Sequence, residues 1–213
     1  MGVDVMRSNN GRRSSVGRLR SSLIAGVALA FAAGLTSQVS GTAAADAVYC
    51  PGTPVVKGRI EQAFVSSGGV PAWGCPTNQE TAIYRNGRFQ AFSKDTAFYW
   101  NAGVDYGRAH QIGGAIRAKW AGYNWERGPL GYPTTNERAD GKARMNWFEG
   151  GTIYWSASTG AHPIWGEIWK KWANAGGVGS SYGLPTSDER RVTPPNAPAF
   201  FVQDFEKGQI VWP

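Results

Sequence analysis

Gly131-Tyr132-Pro133-Thr134, followed by Glu137, is the stretch on which the fold turns, because the chain spells it twice more. Gly74-Cys75-Pro76-Thr77 with Glu80 stands upstream, and Gly183-Leu184-Pro185-Thr186 with Glu189 stands downstream. Glycine reaches backbone angles closed to other residues and proline ends whatever precedes it, so each tetrapeptide reads as a tight corner. Corners 57 and 52 residues apart mark a chain built by repetition.

The blocks flanking each corner recur in register. On the N-terminal side Gly58, Gly114 and Gly166 precede Ile60, Ile116 and Ile168, then Phe64, Trp120 and Trp172. With Val56, Ile112 and Ile164 these residues fall at i, i+4 and i+8, which predicts one apolar stripe on a short helix. On the C-terminal side, Ala82 to Arg85, an Asn86-Gly87 turn, Arg88 to Phe92 and Thr96 to Trp100 read as a three-stranded meander. Asp140-Gly141 and Gly150-Gly151 supply the two turns in the second copy, and the Pro194-Pro195-Asn196-Ala197-Pro198 run replaces the first turn in the third.

Three units therefore run from about 54–109, 110–161 and 162–213, each a short helix plus a small antiparallel sheet. The fold class is α+β. One such unit cannot bury its own apolar face, so neighbours must complete the core. A propeller-like arrangement around a pseudo-symmetry axis is expected, since short meanders suit radial packing and the chain closes without an obvious polar cap.

Residues 1–45 read as a signal peptide. Arg7, Arg12, Arg13, Arg18 and Arg20 precede a 13-residue apolar run, Leu23 to Leu35, and then Ala43-Ala44-Ala45. The run is shorter than the roughly 20 residues that span a bilayer, so cleavage with no stable membrane span is expected. Residues 46–213 then form a single repeat domain. Five of the 22 Lys and Arg residues and one of the 15 Asp and Glu residues lie in the leader, which leaves 17 against 14, a net of +3. Without a basic run, a nucleic-acid partner is excluded. Cys50 and Cys75 are the only cysteines, and an exported chain meets oxidising conditions, so they are expected to pair.

These blocks together resemble the LGFP repeat family, named for its corner tetrapeptide. The second unit carries most of the likeness: Leu130-Gly131-Tyr132-Pro133-Thr134, Glu137, Gly151-Thr152-Ile153-Tyr154-Trp155-Ser156 and Gly160-Ala161-His162. Trp73 and Tyr182 replace the leucine of the motif, and Cys75, Tyr132 and Leu184 replace its phenylalanine. The resemblance implies a secreted actinobacterial envelope protein, whose repeats hold to cell-wall glycan, arabinogalactan or peptidoglycan. It also implies propeller-like longer arrays and frequent company with mycolyltransferase or peptidoglycan-hydrolase domains.

Aromatic residues are 13% of the sequence and ten are Trp, which suits a platform for sugar rings. Trp120 and Trp172 are assigned to the core by their helical stripe. Strand alternation sends Tyr99 and Tyr154 to the opposite face from Trp100 and Trp155, and one of those faces is expected to be partly wet. The expected ligand-binding set is Tyr99, Trp100, His110, Tyr154, Trp155, His162 and Trp212, with the second unit as the best binder. His110 and His162 occupy equivalent positions, which also fits a structural hydrogen bond, and Glu80, Glu137 and Glu189 read as carboxylates tying down the corners. Trp125, Trp165 and Trp169 lie off the stripe and are given a surface or inter-unit role. No nucleophile elbow, zinc motif, phosphate loop or Cys/His metal cluster is present. The reading is a non-catalytic glycan-binding protein needing no cofactor or metal. The alternatives are a cell-wall hydrolase, or an accessory that recruits one, and an envelope scaffold for protein partners.

Overall fold

The computed structural model describes residues 48–213, so the expected signal peptide over 1–45 lies outside the described residues. Helices α1 (Gly58–Ser66), α3 (Gly114–Gly122) and α4 (Gly166–Asn174) recur with the corners, and α2 (Gly69–Trp73) is a short extra turn after α1. Gly58, Gly114 and Gly166 each open their helix at positive φ, 59°, 49° and 55°, a left-handed start that explains the recurring glycine. None of the helices among the described residues is long and apolar enough to cross a membrane.

Each corner leads into an antiparallel meander. The first sheet has order β1 (Thr81–Ile83), β2 (Gly87–Phe92), β3 (Thr96–Trp100), β4 (Ala109–Gly113). The second has order β5 (Arg138–Asp140), β6 (Ala143–Phe148), β7 (Gly151–Ser156), β8 (Gly160–Ile164). The third has three strands, β9 (Arg190–Val192), β10 (Phe200–Phe205) and β11 (Gly208–Trp212). The first two sheets thus gain a fourth strand. Ile112 and Ile164 end those strands rather than sitting on the helices, yet their side chains reach the same core. Pro163, which cannot donate to a ladder, is accommodated because β8 is an edge.

Sheets and helices alternate in layers. One face of the first sheet, with Phe92 and Phe98, packs against Ile60 and Phe64 of α1. Its other face, with Ala97 and Tyr99, packs with Ile116 and Trp120 of α3, and Ile153 and Phe148 of the second sheet close that core from the far side. Tyr154 and Met145 on the second sheet's other face meet Ile168 and Trp172 of α4, above Phe205 and Ile210 of the third sheet. No closed barrel or propeller forms among the described residues; the layers follow one another from α1 to the third sheet.

The two ends of this stack are finished differently. At the start, Cys50 and Cys75 form a disulfide closing a separation of 25 residues, worth roughly 3 kcal/mol in chain entropy. It holds Tyr49 edge-on to Phe64, with ring centres 5.1 Å apart, while the Tyr49 hydroxyl donates to Glu61 at 2.8 Å. At the other end the outward face of the third sheet carries Asp204, Gln209 and Val211. Asp204 accepts from Arg190 at 2.5 Å and from Gln209 at 2.5 Å, which makes a polar cap.

Repeated polar clips lock the layers together. The side-chain amide of Gln90 donates to the carbonyls of Val55 and Asn78, that of Asn146 to Gln111 and Thr135, and that of Gln203 to Pro163 and Ser187. The Trp120 and Trp172 indole N–H groups donate to the corner carbonyls of Gly131 and Gly183 at 3.2 and 2.7 Å, the partner a buried indole needs. The corner amides are held by Ser93, Glu149 and Glu206, not by Glu80, Glu137 and Glu189. Glu149 and Glu206 also receive a cation from the hairpin turn one unit earlier: Arg85 binds Glu149 through two bonds of 2.9 and 2.8 Å, and Lys142 binds Glu206 at 2.6 Å.

Candidate functional site: aromatic grooves between layers

Trp147 stands on β6 opposite Thr152 of β7. The matching positions hold Ala91 in the first sheet and Asp204 in the third, so only the second sheet places a large ring here. Trp147 and Trp169 of α4 are 42% and 37% exposed. Between them and Trp165 runs a groove of about 360 Å³ that also touches Thr134, Thr152 and Lys170. A second cavity of about 360 Å³, reaching Asp140 and Gly176, is lined by the same two tryptophans, so their rings border a continuous aromatic surface.

The rings are fixed before any ligand arrives. The Arg138 guanidinium lies 4.3 Å from the Trp147 ring centre, covering one face. Trp165 donates its indole N–H to Glu189 at 3.1 Å and meets Tyr123 edge-on at 5.5 Å. Lys170 bonds Glu167 at 2.5 Å and Tyr154 bonds Asp140 at 3.0 Å, which sets polar groups beside the rings. Flat aromatic faces with hydroxyl, ammonium and carboxylate groups at their edge match the alternating C–H and O–H surface of a sugar.

A second kind of pocket recurs at the helix starts. In the first unit Gly58, Glu80, Arg88 and Trp100 line about 480 Å³; in the second Gly114, Glu137 and Trp155 line about 250 Å³. Glu80 faces Arg88 at 3.5 Å and Glu137 takes a bond from Arg144 at 2.8 Å. The third unit lacks the pair, because Phe201 stands where the others have arginine and Glu189 serves Trp165 instead.

The structure distributes the seven expected ligand residues among several places. Tyr99 is 5% exposed, stacked on Phe89 at 5.4 Å and edge-on to Trp120 at 4.7 Å. Tyr154 is 6% exposed and edge-on to Trp172 at 5.0 Å. The face carrying Tyr99 and Tyr154 is the dry one, because the next helix covers it, and the partly wet face is that of Trp100 and Trp155; burial pushes both phenols above their ordinary pKa. Trp100 and Trp155 sit half-buried in the pockets at the helix starts, with Trp100 donating to the Gly107 carbonyl at 2.9 Å. Trp212 lies at the surface with the Lys171 ammonium 5.0 Å from its ring.

Both histidines are held by carboxylates. His110 Nε2 lies 2.8 Å from Asp105, and His162 lies 2.7 Å from Asp188 through Nδ1 and 3.0 Å from the Thr159 carbonyl through Nε2. Asp188 also accepts from Lys119 at 3.1 Å and from Tyr123 at 2.8 Å. Burial pushes the Asp188 carboxyl up, but bonds from His162, Tyr123 and Lys119 outweigh it and hold the group at about 2.

Of the off-stripe tryptophans, Trp169 lies at the surface, Trp165 bridges units through Glu189, and Trp125 packs edge-on to Trp120. Trp147 was not singled out by the repeat, and the signal was its departure from Ala91 and Asp204 at one aligned position. The fold and these grooves describe a repeat protein whose layers present aromatic surfaces at their junctions. The sequence signature of the LGFP repeat matches residues 74–128 and 130–180, and the chain belongs to the LGFP repeat family. Each matched copy opens at a corner, crosses four strands and ends just beyond the following helix. No curated protein matches the chain.

Proposed function

We propose that this protein is exported to the cell envelope and binds wall polysaccharide, arabinogalactan or peptidoglycan, without catalysing its breakdown. The observation that carries the reading is the groove of Trp147, Trp165 and Trp169, in which Arg138 holds the exposed Trp147 ring and Tyr123 and Glu189 hold Trp165. The half-buried Trp100 and Trp155 pockets are weaker subsites on the same stack, so several modest contacts along one chain raise retention through effective concentration. Membership of the LGFP family supports an envelope setting.

Sedimentation of the purified chain with insoluble arabinogalactan and with peptidoglycan tests this. Trp147→Ala with Trp169→Ala lowers retention at least about tenfold, as expected for exposed aromatic anchors. Trp212→Ala, away from the groove, leaves it within about twofold. Absence of retention on both polymers, or release of soluble sugar from either, overturns the reading.

A further inference from the structure

We infer that the first unit carries a second binding site, for an acidic saccharide, separate from the aromatic groove. It extends the polysaccharide reading and stands on residues outside the groove, sharing with that reading only the Trp100 pocket. The β3–β4 connection is residues 101–108, whereas the equivalent β7–β8 turn is residues 157–159. The longer loop has one product: Tyr106 is 91% exposed.

That exposure is imposed. Asp105 and Tyr106 hold φ of 39° and 56°, a left-handed pair that non-glycine residues adopt only when their surroundings enforce it. The loop is braced accordingly. Asn101 donates to the Arg85 carbonyl at 2.8 Å and accepts from the Gly103 amide at 2.9 Å, the Trp100 indole donates to the Gly107 carbonyl at 2.9 Å, and Asp105 bonds His110 at 2.8 Å. A large apolar ring held out in water by a strained, fully braced loop does nothing for the core.

What surrounds the ring is basic. The Arg108 guanidinium lies 5.5 Å from the Tyr106 ring centre and lines a cavity of about 380 Å³ with Arg59, Gln62, Ser66 and Asn136. Arg59 also lines the adjoining pocket of about 480 Å³, beside Lys57, Arg88 and Trp100. Four cations meet two carboxylates here: Glu80 faces Arg88 at 3.5 Å, and Asp105 faces Arg108 at 3.6 Å. Among the described residues Lys57 and Arg59 have no carboxylate partner, and Arg59 bonds only Gln62 at 3.0 Å.

A guanidinium fork matches a carboxylate or a phosphate in two parallel bonds, and a free tyrosine face takes the C–H side of a sugar. Neutral donors and acceptors from Gln62, Ser66 and Asn136 serve hydroxyl groups. Aromatic rings, guanidinium groups and amides around one depression thus fit a sugar polymer carrying carboxylates or phosphodiesters. The groove of the second sheet holds the neutral sugars, and this surface takes the charged ones.

Affinity electrophoresis of the full chain in polygalacturonate, in poly(glycerol phosphate) and in uncharged dextran tests the site. Retardation by either charged polymer but not by dextran, weakened about tenfold by Arg59→Gln with Arg108→Gln and by Tyr106→Ala, is the expected result. Trp147→Ala leaves it unchanged, so failure of the groove and failure of this site are read separately. The inference is overturned if neither charged polymer retards the chain, if the three substitutions leave retardation intact, or if anionic vesicles or duplex DNA compete as well as the sugar polymers.

Discussion

The second and third sheets share strand register and the same covering helix, α4, but they differ in what lies on their far faces. The second sheet is covered twice, by α3 and by α4, and it spends Tyr154, Met145 and Ile153 on those two cores. The third is covered once, and Asp204, Gln209 and Val211 stand where the second has Trp147, Thr152 and Tyr154. The lesson is that position in the stack, more than position in the repeat, decides which strand residues turn apolar. It also explains why the aromatic groove forms at the second sheet, the last layer with a following helix to close it.

The comparison breaks first at the matched pair Tyr154 and Val211. Tyr154→Ala should lower stability by about 3 kcal/mol, as for other buried rings. Val211→Ala, 43% exposed, should cost under about 0.5 kcal/mol. Urea unfolding midpoints decide, and equal losses would mean that the third sheet is covered as well. The corners should behave alike despite the difference in their sheets. Gly131 and Gly183 have φ of 66° and 71°, and a methyl group on either would press on the Glu149 or Glu206 carboxylate. Alanine at each should cost about 1–3 kcal/mol, again read from unfolding, and a harmless substitution at one corner would show that only the other is clamped.

The smallest effect is a pH dependence read at the junction of the second and third units. The Asp188 carboxyl is held at about 2, below its ordinary value, so its contribution is complete above the unfolded pKa near about 4 and fades as pH falls toward about 2. Asp188→Asn should flatten the acid limb of stability between those values. The junction of the first and second units has Asn136 at the same position, accepting from the Gln111 amide at 2.9 Å, so Asn136→Ala should leave the acid limb unchanged. Stability measured from pH 5 to pH 2 separates the two.

Much of this was written in the chain. The corners, three helices and the core tryptophans followed from glycine, proline and the spacing of apolar residues, and the Cys50–Cys75 bridge from there being two cysteines in a chain read as exported. The fourth strands did not, because Ile112 and Ile164 satisfy the helical stripe as well as they satisfy a strand end. Local pattern does not tell which face of β3 and β7 is the wet one, because the helix that dries the Tyr99 and Tyr154 side arrives a unit later. The ion pairs at Glu149 and Glu206 join residues 64 positions apart, beyond the reach of any local pattern. Tyr106 needed its backbone angles, which no spacing reveals.

The cation that each hairpin turn hands forward gives the stack a direction of growth. Arg85 and Lys142 each find a carboxylate in the unit that follows, while the last such turn, Thr193 to Ala199, carries no cation to hand on. A copy duplicated between the second and third units would inherit matching partners on both sides. Neighbouring units are therefore matched by polarity: Arg85 and Lys142 each supply the charge that the next corner accepts.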